Sequence, residues 1–323
     1  MSARVRLFAL AGVVALLHAL GWGLYLWYLR RTPALVGLGT LAYTFGLRHA
    51  VDADHIAAID NTTRKLLHDG KRPLGVGFFF ALGHSTIVFA LTAVLALTAG
   101  AVDAAIPSVQ TAGETVGVSI SGTFLLLIGL LNLFVLADIV RIRRAMKTGR
   151  GDEPIERRLL DRGMLSRLVL TRVGDRINTS WKMAPLGALF GLGFDTASEI
   201  ALLALAAGVA THRAPFLAIL ALPTLFAAGM ALLDTADGVV MSHAYGWAFS
   251  NPVRKLYYNI TVTSLSAAVA LGVGMIELLQ ATVGLRTVDL GKVGYVIIAL
   301  FLATWAISVV YWKARHVEER WTA

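Results

Sequence analysis

Long runs of apolar residues recur along the chain, separated by shorter segments rich in polar residues. A helix needs about 20 mostly apolar residues to cross a bilayer, and eight runs approach or exceed that length. The pattern therefore predicts an all-α, polytopic membrane protein whose residues 1–323 form a single transmembrane domain. The predicted spans are about 5–29, 34–57, 74–99, 117–140, 184–210, 215–240, 257–280 and 292–312.

Composition agrees with this class. Of the 323 residues, 57% are hydrophobic and 15% are charged, and the mean hydropathy is +0.69. A barrel of the outer-membrane type would show short alternating segments instead. The chain contains no cysteine, so any metal site must use nitrogen and oxygen ligands.

Charge predicts the orientation. If both termini are cytoplasmic, 23 of the 29 Lys and Arg residues fall in cytoplasmic segments and five in external ones, as the positive-inside rule requires. The basic loop 141–183 is then cytoplasmic, where we expect it to contact anionic lipid headgroups. Because the net charge of +9 resides in loops beside apolar spans, it does not indicate a nucleic-acid partner.

Ionisable residues interrupt four of the predicted spans. A charge at the bilayer centre costs roughly 2.5–3.5 kcal/mol on insertion scales, so such groups usually line a polar path or pair with one another. Imidazoles and carboxylates without thiols suit a divalent transition-metal ion. The residues are Arg48, His49, Asp52, Asp54 and His55 in the second span, His84 in the third, Asp195 and Glu199 in the fifth, and Asp234 and Asp237 in the sixth.

Helical geometry sets a condition on the second span. In a straight helix, His49 and His55 would lie about 9 Å apart along the axis. They can share one ion only if the helix bends or unwinds, which Gly46 would permit. In a straight helix, one histidine would bind the ion and the other would pass it on.

The acidic pairs leave alternatives open. Asp195 and Glu199 share one helix face by their spacing, and one of them could instead pair with Arg48. Asp234 and Asp237 also share a face, and a solvated helix end is the alternative explanation for them.

Three further polar residues have simpler interpretations. His18 and Asn132 are single polar groups in apolar helices and are predicted to make interhelical hydrogen bonds. Glu277 lies near a helix end and is predicted to be solvated.

A weak internal similarity relates the two halves of the chain. Residues 52–57 resemble 196–201, and residues 80–84 resemble 226–230. Spans three apart in this order run in opposite directions, so the similarity predicts an inverted repeat, as in many transporters.

Four segments, in this order, resemble the motifs of the nickel/cobalt transporter family. They are Arg48-His49-Ala50-Val51-Asp52-Ala53-Asp54-His55-Ile56, residues 82–86 around His84, residues 192–199 and residues 229–238; residues 255–261 also resemble the family's seventh helix. The resemblance implies eight helices and a permease of the bacterial cytoplasmic membrane, with Ni²⁺ or Co²⁺ as the transported substrate and no cofactor.

The resemblance also assigns roles to residues. It makes His49, Asp54 and His55 essential for metal, with Asp52 and His84 as further candidate ligands. Val51 resembles the nickel-selective members, since others carry a bulkier residue, and this favours nickel over cobalt. The remaining groups would line the pathway or support the ligands: Arg48, Asp195, Glu199, Asp234 and Asp237.

Two alternatives to import follow from the same residues. No GxxxxGK[ST] segment is present, which favours a secondary transporter without a nucleotide partner. Because alternating access is reversible, efflux of nickel or cobalt is the alternative to uptake. An intramembrane metal-dependent hydrolase would need an open metal site with a positioned base, but no HExxH is present, and enzymatic activity is not expected.

Overall fold

The computed structural model describes residues 2–98, 106–147, 178–192, 214–248, 252–283 and 290–314, with positions 202, 206, 208 and 209. These residues form helices and short connections, with no strand among them, which confirms the all-α prediction. The helices are α1 (Ala3–Leu29), α2 (Leu38–His49), α3 (Ala53–His68), α4 (Val76–Thr98), α5 (Ile106–Lys147), α6 (Met183–Gly191), α7 (Phe216–Ala248), α8 (Pro252–Val283) and α9 (Leu290–Ala314), with 3₁₀ turns at Pro33–Leu35 and Ser180–Lys182.

Length and composition make this a membrane protein. Within the described residues, four helices are long and apolar enough to cross a bilayer: Ala3–Leu29, Val76–Val94, Phe216–Gly246 and Thr263–Val283. The apolar stretches Val118–Phe134 and Lys292–Thr304 are shorter. Many of their large apolar side chains are exposed on the protein surface, as expected for helices that face lipid.

Helix α7 occupies the centre and packs against α1, α2, α3 and α4. Its buried face contributes Leu222, Leu225 and Phe226 to the main hydrophobic core. The approach of α2 depends on Gly46, because a Cβ at that position would overlap the backbone carbonyl oxygen of Phe226. Small residues permit this kind of close backbone packing between membrane helices.

The predicted second span is two helices. α2 ends at His49 and α3 begins at Ala53, and Asp52 between them is extended, with φ −66° and ψ 148°. On α9, a Cβ at Gly294 would overlap the carbonyl oxygen of Val51, so this helix packs directly against the break. The break therefore lies between Ala50 and Asp52, a few residues after the glycine that the sequence offered as its cause.

α3 is unusual because it is polar and yet enclosed by other helices. Every residue from Asp52 to Arg64 is buried, and α3 packs against α4, α5, α7, α8 and α9. Polar groups at membrane depth are tolerated where they face the bundle interior and pair with one another. The polar interior of the protein is thus built around α3.

The three single polar residues in apolar helices lie in different environments. His18 contacts the Tyr43 hydroxyl at 3.1 Å, and Asn132 donates a hydrogen bond to Asn61, so both interhelical bonds are confirmed. The prediction of a solvated Glu277 is wrong. Its side chain is buried between α5 and α8 and accepts a hydrogen bond from Ser121 Oγ at 2.6 Å, because α5 packs against α8 at this position.

Candidate metal centre

Three buried histidines from three helices converge on one point. His49 is the last residue of α2, His55 lies in the first turn of α3, and His84 lies in α4. Each ring offers one nitrogen, and these nitrogens all lie within 4.8 Å of one another. The three residues are called the histidine cluster below.

The helix break makes this convergence possible. The ring centroids of His49 and His55 are 4.5 Å apart, about half the axial separation that a straight helix would impose. His84 completes the group, with its centroid 4.7 Å from His49 and 5.0 Å from His55. The helix is unwound after His49, which is the distortion that His49 and His55 need in order to share one ion.

The ring of His49 is oriented by a carboxylate. Its Nδ1 lies 3.2 Å from Asp52 Oδ2, and Arg48 Nη1 donates to Asp52 Oδ1 at 3.0 Å. Because an ionised carboxylate only accepts hydrogen bonds, the proton of a neutral His49 belongs on Nδ1. Its Nε2 lies 3.0 Å from Nε2 of His84. One of those two nitrogens carries a proton in this arrangement, and a metal ion would take its place.

The ring of His55 is oriented in the same way by a different helix. Its Nδ1 lies 3.3 and 3.4 Å from the two carboxylate oxygens of Asp234 on α7. Its Nε2 is buried and has no hydrogen-bond partner among the described residues. Nδ1 held by a carboxylate and Nε2 open is the arrangement typical of a metal-binding histidine.

The other residues singled out by the sequence have distinct places. Asp54 is buried and close enough to His55 and Asp234 to act electrostatically on both. Asp237 follows Asp234 by about one turn of α7, and Val51 lies in the helix break. Asp195 and Glu199 lie outside the residues that the structure describes. The predicted groups that are brought into direct contact are therefore Arg48, His49, Asp52, His55, His84 and Asp234.

Apolar and small residues shape the surroundings. The Phe80 ring meets His55 edge-on with centroids 4.8 Å apart, and Phe226 lies 5.5 Å from His49. A Cβ at Gly77 would overlap the carbonyl oxygen of Asp234, so α4 and α7 touch at that residue. Sequence reasoning missed Gly77, because a single glycine in an apolar run has no pattern that distinguishes it from others.

The dimensions suit one metal ion. A metal–imidazole bond is about 2.0–2.1 Å long, so two nitrogens bound to the same ion lie at most about 4.2 Å apart. The three histidine nitrogens lie within 4.8 Å of one another, so their largest separation exceeds this metal-bound distance by well under 1 Å. Neutral imidazoles suit nickel, cobalt, zinc and copper. Small side-chain movements would therefore close the cluster around a divalent transition-metal ion.

Comparisons with known proteins agree with this chemistry. The profile of the family described as "High-affinity nickel-transport protein" matches residues 35–311. The chain is 50% identical to the nickel transporter NicT of Mycobacterium tuberculosis, over 98% of this chain and 91% of that protein. It is 47% identical to the nickel transporter NixA of Staphylococcus aureus, over 96% and 95%.

A relative named for another metal is nearly as similar. The cobalt transport protein NhlF of Rhodococcus rhodochrous is 41% identical, over 95% of this chain and 92% of that protein. No solved structure shows a significant match. On the family profile and these relatives, the chain belongs to the high-affinity nickel-transport protein family, whose members are transporters and not enzymes.

Proposed function

We propose that this protein imports Ni²⁺, and Co²⁺ with lower preference, through the histidine cluster as a secondary transporter. The relatives named above carry nickel or cobalt in their names, which supports the substrate class. Val51 in the helix break resembles the residue of nickel-selective members, which supports nickel as the preferred ion. Nickel is cargo in this proposal, and no cofactor takes part.

One observation carries the proposal: buried imidazoles from three helices converge, and two of them have their outer nitrogen held by a carboxylate. Asp52 holds Nδ1 of His49, and Asp234 holds Nδ1 of His55. Such partners fix the tautomer and orientation of a metal-binding histidine and raise its basicity. We infer that His49, His55 and His84 are the ligands, and that Asp52 supports His49 instead of binding the ion directly.

The remaining groups take supporting roles in the proposal. The Asp54 carboxylate would add negative charge beside the histidine cluster and so favour a cation there. Arg48 would hold Asp52 in place through their ion pair at 3.0 Å. Asp195 and Glu199 are proposed to line the pathway on the fifth span, and Asp237 on the sixth.

The proposed topology has eight spans, with both termini in the cytoplasm of a bacterial cell. The distribution of Lys and Arg supports this orientation, and the similarity between residues 52–57 and 196–201 supports an inverted repeat. The basic loop 141–183 would lie against the anionic inner leaflet. The whole chain forms one transmembrane domain of the cytoplasmic membrane.

Uptake of radiolabelled Ni²⁺ by cells that express the protein tests the proposal. His49→Ala and His55→Ala should abolish uptake while the protein still inserts at normal amounts. His18→Ala is the matched control, since this histidine contacts Val14 and Tyr43 away from the cluster. Normal uptake in both cluster variants would refute the proposal.

Direction and selectivity need separate measurements. Total cellular nickel should rise when the protein is expressed, whereas a fall would establish efflux. Unlabelled Ni²⁺ should compete with labelled Ni²⁺ at lower concentration than unlabelled Co²⁺ does. Equal competition would remove the argument from Val51.

A further inference from the structure

A second group of buried polar side chains lies beyond the histidine cluster, toward the C-terminal ends of α3 and α7. Asp60 and Ser266 are fully buried, and Arg64 and Tyr245 are each 4% exposed. Asp237 on α7 is the fifth member and is partly buried. These five residues are called the Asp60 cluster below. None of the motifs that carry the family resemblance includes Asp60, Arg64, Tyr245 or Ser266.

Helix packing brings the two carboxylates of this cluster together. A Cβ at Gly238 would lie 3.7 Å from the Ile59 side chain, so α7 contacts α3 at these two residues. Asp237 and Asp60 are the neighbouring residues along the two helices. The carboxylates of Asp237 and Asp60 are close enough to repel each other electrostatically. Two acidic side chains from different helices thus face one buried space.

Hydrogen bonding fixes one oxygen of Asp60 and leaves the other open. The Tyr245 hydroxyl donates to Asp60 Oδ1. Asp60 Oδ2 and Asp237 Oδ2 are buried, and neither has a hydrogen-bond partner among the described residues. Buried polar atoms almost always have partners, so two open oxygens in one place indicate a ligand.

A third helix supplies an independent oxygen. The Ser266 side chain on α8 faces Asp60 and Tyr245. Its Oγ is fully buried and lies beside the oxygens of both residues. The cluster thus combines two carboxylate oxygens without a hydrogen-bond partner among the described residues, one on α3 and one on α7, with a hydroxyl oxygen on α8.

Charge favours a cation in this space. When both are ionised, Asp60 and Asp237 contribute two negative charges, and Arg64 beside Asp60 contributes one positive charge. The guanidinium also donates to Asn61 Oδ1 at 3.1 Å, so it does not serve the carboxylates alone. In that state one negative charge remains, which is costly in a buried site unless a cation or a proton offsets it.

The Asp60 cluster is continuous with the histidine cluster. Asp237 is also close enough to Asp234 to repel it electrostatically, and Asp234 holds His55. Carboxylates thus connect His55 with Asp60 along α3 and α7. Under the proposed orientation, this path leads from the histidines toward the cytoplasm.

We propose that Asp60 and Asp237 form a second cation site, which receives Ni²⁺ as it leaves the histidine cluster. This inference rests on the proposed function. Carboxylate and hydroxyl oxygens suit nickel less well than imidazole does, so the ion is held more weakly here. Transport needs sites that bind well enough to be entered and weakly enough to be left, and the positive charge of Arg64 promotes release.

Equilibrium dialysis of the full-length purified protein against radiolabelled Ni²⁺, together with uptake in cells, tests the proposal. The wild type should bind one ion tightly and a second ion more weakly. Asp60→Asn and Asp237→Asn should keep the tight ion and lose the weaker one. Uptake should fall at least about 10–100-fold, the loss typical when even an outer partner of a metal ligand is removed.

Asp69→Asn is the matched control. Asp69 lies just after the same helix, where it forms an ion pair with Lys65 at 3.2 Å, and its variant should keep both ions and full uptake. Retention of the tight ion shows that each variant has folded. Asp237 is less buried than Asp60, so Asp237→Asn decides the question if Asp60→Asn fails to accumulate.

Three results would overturn the second site: a wild type that binds a single ion, variants that keep the second ion with normal uptake, or variants that lose the tight ion as well. The last result would place both carboxylates in the histidine site itself. A wild type without nickel uptake would instead refute the proposed function. The two failures are therefore distinguishable.

Discussion

The contact between Asp234 and His55 gives a quantitative test of how the histidine cluster is held. Asp234→Asn preserves the shape of the side chain but removes its charge. The amide can also present its NH₂ group to His55, which would move the ring proton from Nδ1 to Nε2. A protonated Nε2 cannot bind a metal, so the substitution should weaken the site without emptying the cluster of imidazoles.

The geometry sets the size of this effect. The two distances from His55 Nδ1 to Asp234, 3.3 and 3.4 Å, exceed the usual 2.7–3.2 Å of a strong N–H···O bond. The hydrogen bond alone would thus contribute little. Both side chains are fully buried, however, and a charged partner counts for more where water is excluded. We expect a loss of roughly 10–100-fold in metal affinity, which corresponds to about 1.4 kcal/mol for each factor of ten.

Initial rates of Ni²⁺ uptake over a range of concentrations measure this loss. KM should rise in Asp234→Asn, while immunoblots of the membrane fraction show normal amounts of protein. Asp69→Asn repeats the same chemical change at a residue paired with Lys65 and should leave KM unchanged. An unchanged KM in Asp234→Asn, alongside an inactive His55→Ala variant, would show that Asp234 does not orient the ligand.

Three further predictions test the packing and the ligand set. Gly294→Val should strongly reduce uptake, because its side chain would collide with the carbonyl of the helix break, whereas Gly272→Val on α8, with no atom within 4 Å of its Cβ, should not. His84→Ala should weaken Ni²⁺ binding in equilibrium dialysis but leave insertion normal, since its Nε2 faces the cluster. Ser121→Ala should lower the stability of the purified protein by about 1–3 kcal/mol, seen as a reduced Tm, because Glu277 loses a buried donor; an unchanged Tm would contradict this.

Sequence patterns predicted the class of fold well. Apolar runs of spanning length are a strong signal, since a bilayer demands both length and internal backbone hydrogen bonding. Helices α4, α7 and α9 begin within two residues of the starts predicted for the third, sixth and eighth spans, although α7 continues to Ala248, beyond the predicted end at 240. Hydropathy could not show that the second span divides at Ala50–Asp52, because an average over about 20 residues does not report a change of backbone direction within them.

The candidate site was predicted in composition but not in arrangement. Spacing alone could place Asp52 near His49, but it could not decide whether the carboxylate binds the ion or the imidazole. That choice depends on which ring nitrogen of His49 faces the carboxylate. The structure shows that it is Nδ1, at 3.2 Å from Asp52 Oδ2, and a sequence cannot show this. The partner of His55 lies 179 residues away on α7, a pairing that no local pattern encodes.

Glu277 shows why position in a helix is a poor guide to solvation. The sequence places it near the end of an apolar run, where a solvated carboxylate would be unremarkable. In the structure α8 extends to Val283, and Ser121 on α5 reaches the carboxylate. Burial was decided by a neighbouring helix, which the local sequence does not reveal.

The helix break connects binding with transport in physical terms. A continuous helix would separate His49 and His55 by about 9 Å along its axis, whereas the break brings their rings to 4.5 Å. Packing of α9 against Val51 helps to hold this arrangement. A small change in the packing of α9 would therefore alter the distance between the two candidate ligands His49 and His55. Under the proposed function, we therefore expect substitutions that disturb the packing of α9 to change the metal affinity of the histidine cluster.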